Sequence, residues 1–405
     1  MDLLYASRLC SESRLAVLLR EQPVKPALQE QKFHGLLARG LAATTGPVTC
    51  LSLLPHRPGT RGLPMVERES EGGLDHRYLS LRMIPGLSHA LVFLWSLAAT
   101  LRWRLSRKAG PCVVLCDVLD LSISAGARVA AALTRTPALA IVTDVPDILH
   151  EYIGGGGSAP GRLIIRAYRA LATGLMERYD AFLVLTEAMN PVVNPRGRPH
   201  VVIEGMVDPA MAAVDNALPG KHPEGVVLYA GALYAKYGVR TLVEAFGRIP
   251  DPGARLWLFG SGELEGEIRE AQARDARIAF WGVRSNAEVV AAEVRATLLV
   301  NPRPSTEAFT RFSFPSKNME YMASGTPLLT TRLPGMPPEY LEHVFTFEEE
   351  SAEGMARAMA SLLARPREEL HARGHGAKAF VLSAKTGPHQ AERLRLLLQG
   401  LERGA

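Results

Sequence analysis

The chain has 405 residues, of which 47% are hydrophobic and 21% are charged, and its formal net charge at pH 7 is +5. These proportions are ordinary for a globular protein, and the length suits two domains that each bury a core. The small positive excess suits anionic ligands or membrane surfaces. No block of lysines and arginines resembles a nucleic-acid-binding arm, so nucleic acid is not an expected partner.

The cysteines and the apolar runs indicate a cytoplasmic protein. Cys10, Cys50, Cys112 and Cys116 show neither metal-ligand spacing nor a disulfide framework. No basic segment followed by an apolar run opens the sequence, and the longest apolar run, 90–101, is too short to cross a bilayer. We therefore expect a cytoplasmic location, with peripheral contact at the inner face of the membrane as an open alternative.

Short apolar runs alternate with helical segments along the chain, which is typical of parallel sheets covered on both faces. Residues 208–224 are rich in Pro and Gly and predict a linker between two domains, 1–207 and 225–383. We expect a helix over 384–405 to pack back on the first domain. The predicted fold class is α/β, with two doubly wound Rossmann-like domains facing a central cleft. The predicted strands are Leu3–Ala6, Val48–Leu53, Tyr78–Leu81, Cys112–Cys116, Leu139–Thr143, Ala181–Leu185 and His200–Ile203, then Val226–Ala230, Arg255–Phe259, Arg277–Trp281, Thr297–Val300, Pro327–Thr330 and His343–Phe347.

One early helix is expected to belong to the core. Trp95 and Trp103 lie in it together with Leu91, Leu94 and Leu101. Large apolar side chains of this kind are most often buried. The sequence therefore predicts a core helix here.

The stretch "RFSFPSKNMEYMASGTP", residues 311–327, follows a predicted strand, where doubly wound folds bind ligands. Pro315 suits the first turn of a helix, Ser316 could cap it, and the amides there form an anion site. Lys317 adds a charge that suits phosphate, and Glu320 could accept two hydroxyls of a ribose. The pattern fits a nucleotide site and equally fits a capping motif with a surface Lys–Glu pair.

Glycines at three further strand ends favour the nucleotide site. Gly231 ends the strand in "YAGALYAKYG", Gly260 and Gly262 follow the strand in "LFGSGELEG", and Gly282 ends the strand in "FWGVRS". A single glycine turn is weak evidence because many α/β folds turn this way. Three such turns beside the Pro-Ser-Lys helix are stronger evidence for a nucleotide site than one turn alone.

The order of these segments resembles the donor domain of the retaining nucleotide-sugar glycosyltransferases of family 4, which have the GT-B fold. The likeness is to bacterial members with "FPSK…EYM" before an "SGTP" turn, and it covers essentially the whole second half. In the first half it rests on "EQKFHGLLARGL", "IVTDVPD", "YDAFLVLTEAM" and "VIEGMVD".

The resemblance implies a role for each matching position. Glu320 would hold the ribose, the amides from Phe314 to Lys317 would cradle the diphosphate, and Gly260–Gly262 with Gly282–Val283 would border the base. The expected donor-binding residues are Gly231, Lys236, Gly260, Gly262, Gly282, Val283, Arg311, Phe314, Ser316, Lys317 and Glu320.

The sequence departs from the family pattern at several positions. The first glutamate of the family's pair falls on Phe312, and Glu307 could substitute for it from a shifted loop. The arginine after the strand-end glycine is Ala232, and Lys236 is displaced by one position. Asp144 stands where a histidine is common. The glycine-rich loop after the first strand is replaced by "SRLCSES".

The resemblance implies transfer without a covalent nucleophile or a cofactor, in which the leaving phosphate helps to deprotonate the acceptor on the front face. Preorganised amides and a lysine would stabilise the departing diphosphate. A metal is not expected, because no Asp-x-Asp ends a strand and the histidines show no ligand spacing. The expected catalytic residues are Asp144, Lys317 and Glu307.

The acceptor side carries fewer signals. His34 would lie near the strand ends of the first domain, although a helical histidine is more often a surface or packing residue. Asp144 could orient the acceptor or cap its own loop. The segment 154–160, "GGGGSAP", could cover an acceptor pocket or be a plain surface loop. The arginines that follow it, Arg162, Arg166 and Arg169, could meet an anionic acceptor or lipid headgroups, or be solvated surface.

The expected partners are a nucleotide-sugar donor and a small-molecule, glycan or lipid-linked acceptor. Two other functions fit the same fold. A nucleotide-sugar 2-epimerase would need further acid and base residues, which the sequence does not assign. A non-catalytic sugar-nucleotide-binding subunit is the other alternative, because Phe312 replaces the first glutamate.

Overall fold

The computed structural model describes residues 1–21, 27–54, 65–80, 87–107, 110–145, 170 and 172–403. The chain divides into two compact units. Unit 1 contains Met1–Met206 and Thr386–Ala405, and unit 2 contains Val207–Lys385. Each unit is built on one largely parallel sheet.

The sheet of unit 1 has eight strands in the order β3-β4-β2-β1-β5-β6-β7-β8. All neighbouring strands are parallel except β3 and β4, which form an antiparallel pair. The central strands are buried along nearly their whole length, because helices cover both faces of the sheet. The strands are β1 Asp2–Ser7, β2 Val48–Leu54, β3 Met65–Glu71, β4 Leu74–Ser80, β5 Cys112–Asp117, β6 Ala138–Val142, β7 Ala181–Val184 and β8 His200–Val202.

The helices of unit 1 include one from the end of the chain. That helix, α12 (Gly387–Arg403), packs against α2 (Leu28–Thr45), and their backbones approach closely at Gly387 and Gly40. A Cβ added to Gly40 would lie 2.3 Å from the Gly387 carbonyl oxygen. The described helices of unit 1 are α1 Glu12–Glu21, α2 Leu28–Thr45, α3 Leu87–Leu105, α4 Leu121–Leu133, α5 Asn190–Val193 and α12 Gly387–Arg403.

The sheet of unit 2 has six parallel strands in the order β11-β10-β9-β12-β13-β14. The strands are β9 Gly225–Ala230, β10 Ala254–Phe259, β11 Ile278–Gly282, β12 Leu298–Asn301, β13 Leu328–Thr330 and β14 Phe345–Thr346. The helices are α6 Val239–Gly247, α7 Glu265–Arg274, α8 Asn286–Arg295, α9 Ser316–Ser324, α10 Ala352–Leu363 and α11 Arg367–Ala384.

The predicted α/β class with two Rossmann-like sheets is confirmed. The structure adds β3, which the sequence analysis missed, and starts β4 at Leu74 rather than Tyr78. These strands carry many charged residues, so they lack the apolar run that marks a buried strand. Residues 208–224, the predicted linker, are grouped with unit 2.

The helix predicted to lie in the core is α3, and the prediction is wrong for Leu91 and Leu94, whereas Leu101 and Trp95 are partly buried. Trp103 is buried, but Leu91 and Leu94 are 36% and 55% exposed. The buried face instead carries Ser96 and Thr100. Leu87, Leu91, Leu94 and Leu105 of α3 therefore point away from the core of unit 1.

We expect Gly40→Ala to lower the free energy of unfolding by about 1–3 kcal/mol, because the added methyl group would overlap the Gly387 carbonyl and force α2 and α12 apart. Gly400→Ala is the matched control on α12, since nothing lies within 4 Å of its added Cβ. There the change should be smaller than about 1 kcal/mol and stabilising. Urea unfolding of both variants measures this, and equal stability of the two would contradict the packing described.

Candidate functional site

Two glycine turns meet at the carboxyl edge of the unit 2 sheet. Gly231 follows β9, and its N–H donates to the Phe259 carbonyl at 3.0 Å. Gly260 has φ +128°, and a Cβ there would lie 1.8 Å from the Gly231 carbonyl oxygen. Gly262 approaches the Leu233 carbonyl in the same way, with its added Cβ at 2.4 Å. Only glycine allows these turns to pack backbone to backbone, so the ends of β9 and β10 present main chain rather than side chains.

A third glycine ends the neighbouring strand β11. Gly282 has φ +67° and accepts a hydrogen bond from the Gly260 N–H at 2.9 Å through its carbonyl. Val283, directly after it, is 68% exposed. The three predicted glycine turns therefore lie along one continuous edge of the sheet.

Helix α9 is fixed to the strand ends by a buried network of amides and a hydroxyl. The Asn301 side-chain N–H at the end of β12 donates to Asn318 Oδ1 at 2.6 Å. Asn318 Nδ2–H donates to Thr330 Oγ1 at 3.3 Å, and the Thr330 hydroxyl donates to the Asn301 carbonyl at 3.2 Å. All three residues are at most 5% exposed. In a buried site such satisfied polar groups specify one position of the helix.

A tyrosine fixes the same helix to β9. The Tyr321 hydroxyl accepts a hydrogen bond from the Ala230 N–H at 2.7 Å and donates to the Ala230 carbonyl at 3.0 Å. Tyr321 is fully buried. Asn318, Asn301 and Tyr321 were not among the predicted site residues. The signal that could have revealed Asn318 was a polar amide on the apolar face of a predicted helix.

The first turn of α9 differs in one detail from the prediction. Pro315 occupies the N-cap position and no side chain caps the helix, so Ser316 is the first helical residue rather than the cap. Lys317 Nζ lies 2.7 Å from Glu320 Oε2, and the two side chains are 31% and 25% exposed. Such a surface pair contributes only about 0.2–0.5 kcal/mol, so an anionic ligand could replace it at little cost.

Further cations lie near this edge of unit 2. Lys236 is in the short 3-10 helix Ala235–Tyr237, with its ammonium 5.2 Å from the centre of the Tyr237 ring. The guanidinium of Arg303 lies 4.9 Å from the same ring. The structure thus brings Lys236 and Arg303 together on Tyr237. Arg303 was not among the predicted site residues, although it lies two residues after the end of β12.

The remaining predicted donor residues lie in the loop before α9. Glu307 is partly buried, and its main-chain carbonyl accepts a hydrogen bond from the Thr310 hydroxyl at 2.6 Å. Arg311 is exposed, with its guanidinium 5.6 Å from the centre of the Phe312 ring. Phe314 is 6% exposed and packs on Tyr340 at 4.9 Å between ring centres. Phe314 thus anchors the loop in the core of unit 2.

Asp144 follows β6 at the carboxyl edge of the unit 1 sheet. Its Oδ1 accepts a hydrogen bond from the Val145 N–H at 2.8 Å, which is the local loop contact expected of a structural role. Burial raises the pKa of the Asp144 carboxyl, while the hydrogen bond from Val145 opposes the shift. These contacts agree both with a role of Asp144 in orienting the acceptor and with its capping its own loop.

His34 lies in the interior of unit 1 rather than at its surface. It is buried on α2, and its Nδ1 forms a 2.6 Å hydrogen bond with the Tyr5 hydroxyl. Its Nε2 lies 3.3 Å from Asp117 Oδ2 at the end of β5. Burial by itself lowers the pKa of His34, but the charges of Asp117 and Glu30 raise it, and the net pKa lies above the ordinary value.

His34 and Asp117 also belong to a group of possible metal ligands that the sequence did not lead us to expect. Glu30, His34 and Asp117 each offer one ligand atom, and the atoms lie within 4.8 Å of one another. The sequence analysis missed this group because Asp117 lies far from the helix α2 in sequence. A single cation could bridge such atoms, and the contacts of His34 with Tyr5 and Asp117 also account for the arrangement as a buried ion pair.

The predicted acceptor-side residues Arg162, Arg166 and Arg169 and the segment 154–160 lie outside the described residues.

The comparisons with known proteins agree with this architecture. Residues 224–365, about a third of the chain, match the model of a family described as Glycosyl transferases group 1. The match falls within unit 2. No curated protein matches the sequence significantly.

Solved structures match over the whole chain. The sucrose-phosphate synthase of Thermosynechococcus elongatus is 16% identical with a TM-score of 0.63, covering 100% of both chains. The α,α-trehalose 6-phosphate synthase of Burkholderia multivorans has the same identity, 16%, and TM-score, 0.63, over 100% of this chain and 99% of its own. HepE of Anabaena, solved in complex with UDP, is 12% identical with a TM-score of 0.61 over 99% of this chain and 100% of its own. The chain has the GT-B fold.

The raised pKa of His34 predicts a pH dependence of stability. A group whose pKa is higher in the folded state stabilises the fold below its unfolded pKa, and this contribution is lost as the pH rises through the folded pKa. The loss of stability caused by His34→Gln should therefore be larger at about pH 6 than at about pH 8. Urea unfolding at both values measures it. The same loss at both pH values would show that the charge of His34 plays no part.

Proposed function

We propose that the protein is a glycosyltransferase that moves a sugar from a nucleoside-diphosphate sugar to an acceptor hydroxyl, of the family 4 type. The observation that carries the proposal is the position of α9. Its first turn, with Lys317 and Glu320, is held at the carboxyl edge of a parallel sheet beside three glycine turns. The family match to unit 2 and the GT-B fold support the same conclusion. HepE in complex with UDP supports a nucleotide donor.

The geometry suggests how unit 2 would hold the donor. The first turn of a helix presents main-chain N–H groups and a positive dipole, which favour a diphosphate at Ser316 and Lys317. The Lys317 ammonium would move from Glu320 to a phosphate oxygen, and the Glu320 carboxylate would accept hydrogen bonds from two ribose hydroxyls. Lys236 and Arg303 would supply further positive charge on the phosphate side. Gly260, Gly262, Gly282 and Val283 would border the base.

Chemically, transfer requires stabilisation of the departing diphosphate and of the cationic sugar. Fixed N–H groups and Lys317 would meet the first requirement without a metal or a cofactor, because they are already aimed at the leaving group. Transfer would retain the anomeric configuration, with the acceptor attacking on the face that the diphosphate leaves and passing its proton to it. Glu307 would then contact the donor sugar, and Asp144 of unit 1 would orient the acceptor.

The proposal is tested with a panel of nucleoside-diphosphate sugars, each incubated with and without candidate acceptors. Free nucleoside diphosphate that appears with an acceptor, together with a glycosylated product, supports transfer. A changed sugar on an intact nucleotide would show an epimerase instead. Binding without turnover in any pair would show a non-catalytic subunit.

Lys317→Ala and Glu320→Ala should each weaken nucleotide-sugar binding about ten- to a hundredfold, since a charge-assisted hydrogen bond contributes roughly 1.5–3 kcal/mol. Calorimetric titration measures the affinity. Arg365→Ala is the matched control, because Arg365 forms a surface pair with Glu369 in the same unit at 2.9 Å. It should leave the affinity unchanged. If both α9 variants bind as tightly as the wild type, the donor site lies elsewhere.

Turnover should survive excess chelator, because amides and lysine rather than a cation would neutralise the diphosphate. The measurement is the initial rate of nucleotide release before and after dialysis against chelator. Loss of the rate that returns with magnesium or manganese would refute the metal-free mechanism.

A further inference from the structure

The exposed face of helix α3 is apolar along five turns, whereas the exposed face of a surface helix is normally polar. Leu87, Leu94 and Leu105 are 54%, 55% and 75% exposed. Residues on this face follow one another at spacings of three and four, so they form one stripe. We call it the leucine stripe: Leu87, Leu91, Leu94, Ala98, Leu101 and Leu105.

The opposite face of α3 carries the buried residues Ser88, Val92, Ser96, Thr100 and Trp103, and close packing fixes it in place. Ser96 Oγ–H donates to the Ile123 carbonyl of α4 at 2.7 Å. A Cβ added to Gly126 of α4 would lie 2.4 Å from the Phe93 carbonyl oxygen. Rotation of α3 to bury its leucines would break this contact between backbones. The outward direction of the leucine stripe is therefore set by the fold of unit 1.

The charged side chains of α3 and α4 have one sign. Neither Leu87–Leu105 nor Leu121–Leu133, the two helices of this layer, contains an aspartate or a glutamate. Arg102 is exposed beside the stripe, and Arg104 follows in the same turn. Arg107, just beyond the helix, is 3.2 Å from Asp2, which neutralises it in part. These two helices thus combine exposed leucines with arginine and carry no acidic residue of their own, which suits an anionic apolar boundary.

We propose that the leucine stripe of α3 docks unit 1 on the surface of an anionic lipid bilayer. The helix would lie in the plane of the interface, with its leucines in the acyl boundary and Arg102 among the headgroups. At 19 residues it is about 28 Å long. Among the described residues no helix is long and apolar enough to cross a membrane, so the contact is peripheral.

A bilayer fits this surface better than a second copy of the chain does. One helix face of this length covers roughly 300 Å², whereas a stable interface buries about 800 Å² on each partner. A lipid surface, by contrast, supplies negative charge.

The test is co-sedimentation of the full chain with vesicles of phosphatidylcholine alone and of phosphatidylcholine with phosphatidylglycerol. We expect binding to the anionic vesicles and at least a tenfold lower partition coefficient for Leu91→Gln/Leu94→Gln. Leu28→Gln/Leu396→Gln is the matched control, because these leucines are 55% and 58% exposed on α2 and α12. It should bind as the wild type does. Arg102→Gln should weaken binding to anionic vesicles several-fold and leave binding to neutral ones unchanged.

Thermal unfolding should show that Leu91→Gln/Leu94→Gln stays folded and loses little stability, since the two side chains are 36% and 55% exposed. Equal vesicle binding by this variant and the wild type would overturn the proposal, as would absence of binding to anionic vesicles. Sedimentation velocity tests the alternative, in which a second copy of the chain covers the stripe. A dimer that the double variant abolishes, without vesicle binding, would assign the stripe to that second copy and overturn the proposal.

Discussion

The position of α9 depends on a few buried polar contacts. Asn318 connects the helix to the ends of β12 and β13, and Tyr321 connects it to the end of β9. Each contact satisfies a polar group that would otherwise be costly to bury. Together they place the first turn of α9, with Lys317, at the edge of the sheet where doubly wound folds bind ligands. The proposed donor site therefore depends on residues that need not touch the donor.

The glycine turns complete that arrangement. Gly231 and Gly260 bring two loops into contact at backbone distance, which no larger residue permits. The edge of unit 2 thus offers main chain at β9 and β10, a helix terminus, and cations near Tyr237. Main-chain donors and a lysine are suited to a diphosphate because both are fixed before it arrives.

Much of the fold could be predicted because parallel strands carry a simple signal. Runs such as Val226–Ala230 are apolar throughout, and the strand in the structure, Gly225–Ala230, differs from the run by one residue. The charged strand β3 lacks this signal and was missed. Helix α3 misled the analysis for a related reason: leucines and tryptophans predict burial, but composition does not say which face of a helix meets the core.

The site was predictable where residues adjacent in sequence act together, and not where distant ones do. The Pro315–Lys317 motif and the spacing of Lys317 and Glu320 are local, and the structure places their side chains 2.7 Å apart. The pairing of Asn318 with Asn301, and of His34 with Asp117, depends on which strand ends become neighbours in the sheet. Sequence periodicity does not contain that information.

A crystal structure of the protein with a nucleoside diphosphate bound would test most directly whether the donor binds at α9. We expect the diphosphate at the first turn of α9, beside Ser316 and Lys317, with the ribose hydroxyls on Glu320 and the base near Gly260 and Gly282. A nucleotide bound in unit 2 away from α9, or bound only in unit 1, would contradict this expectation.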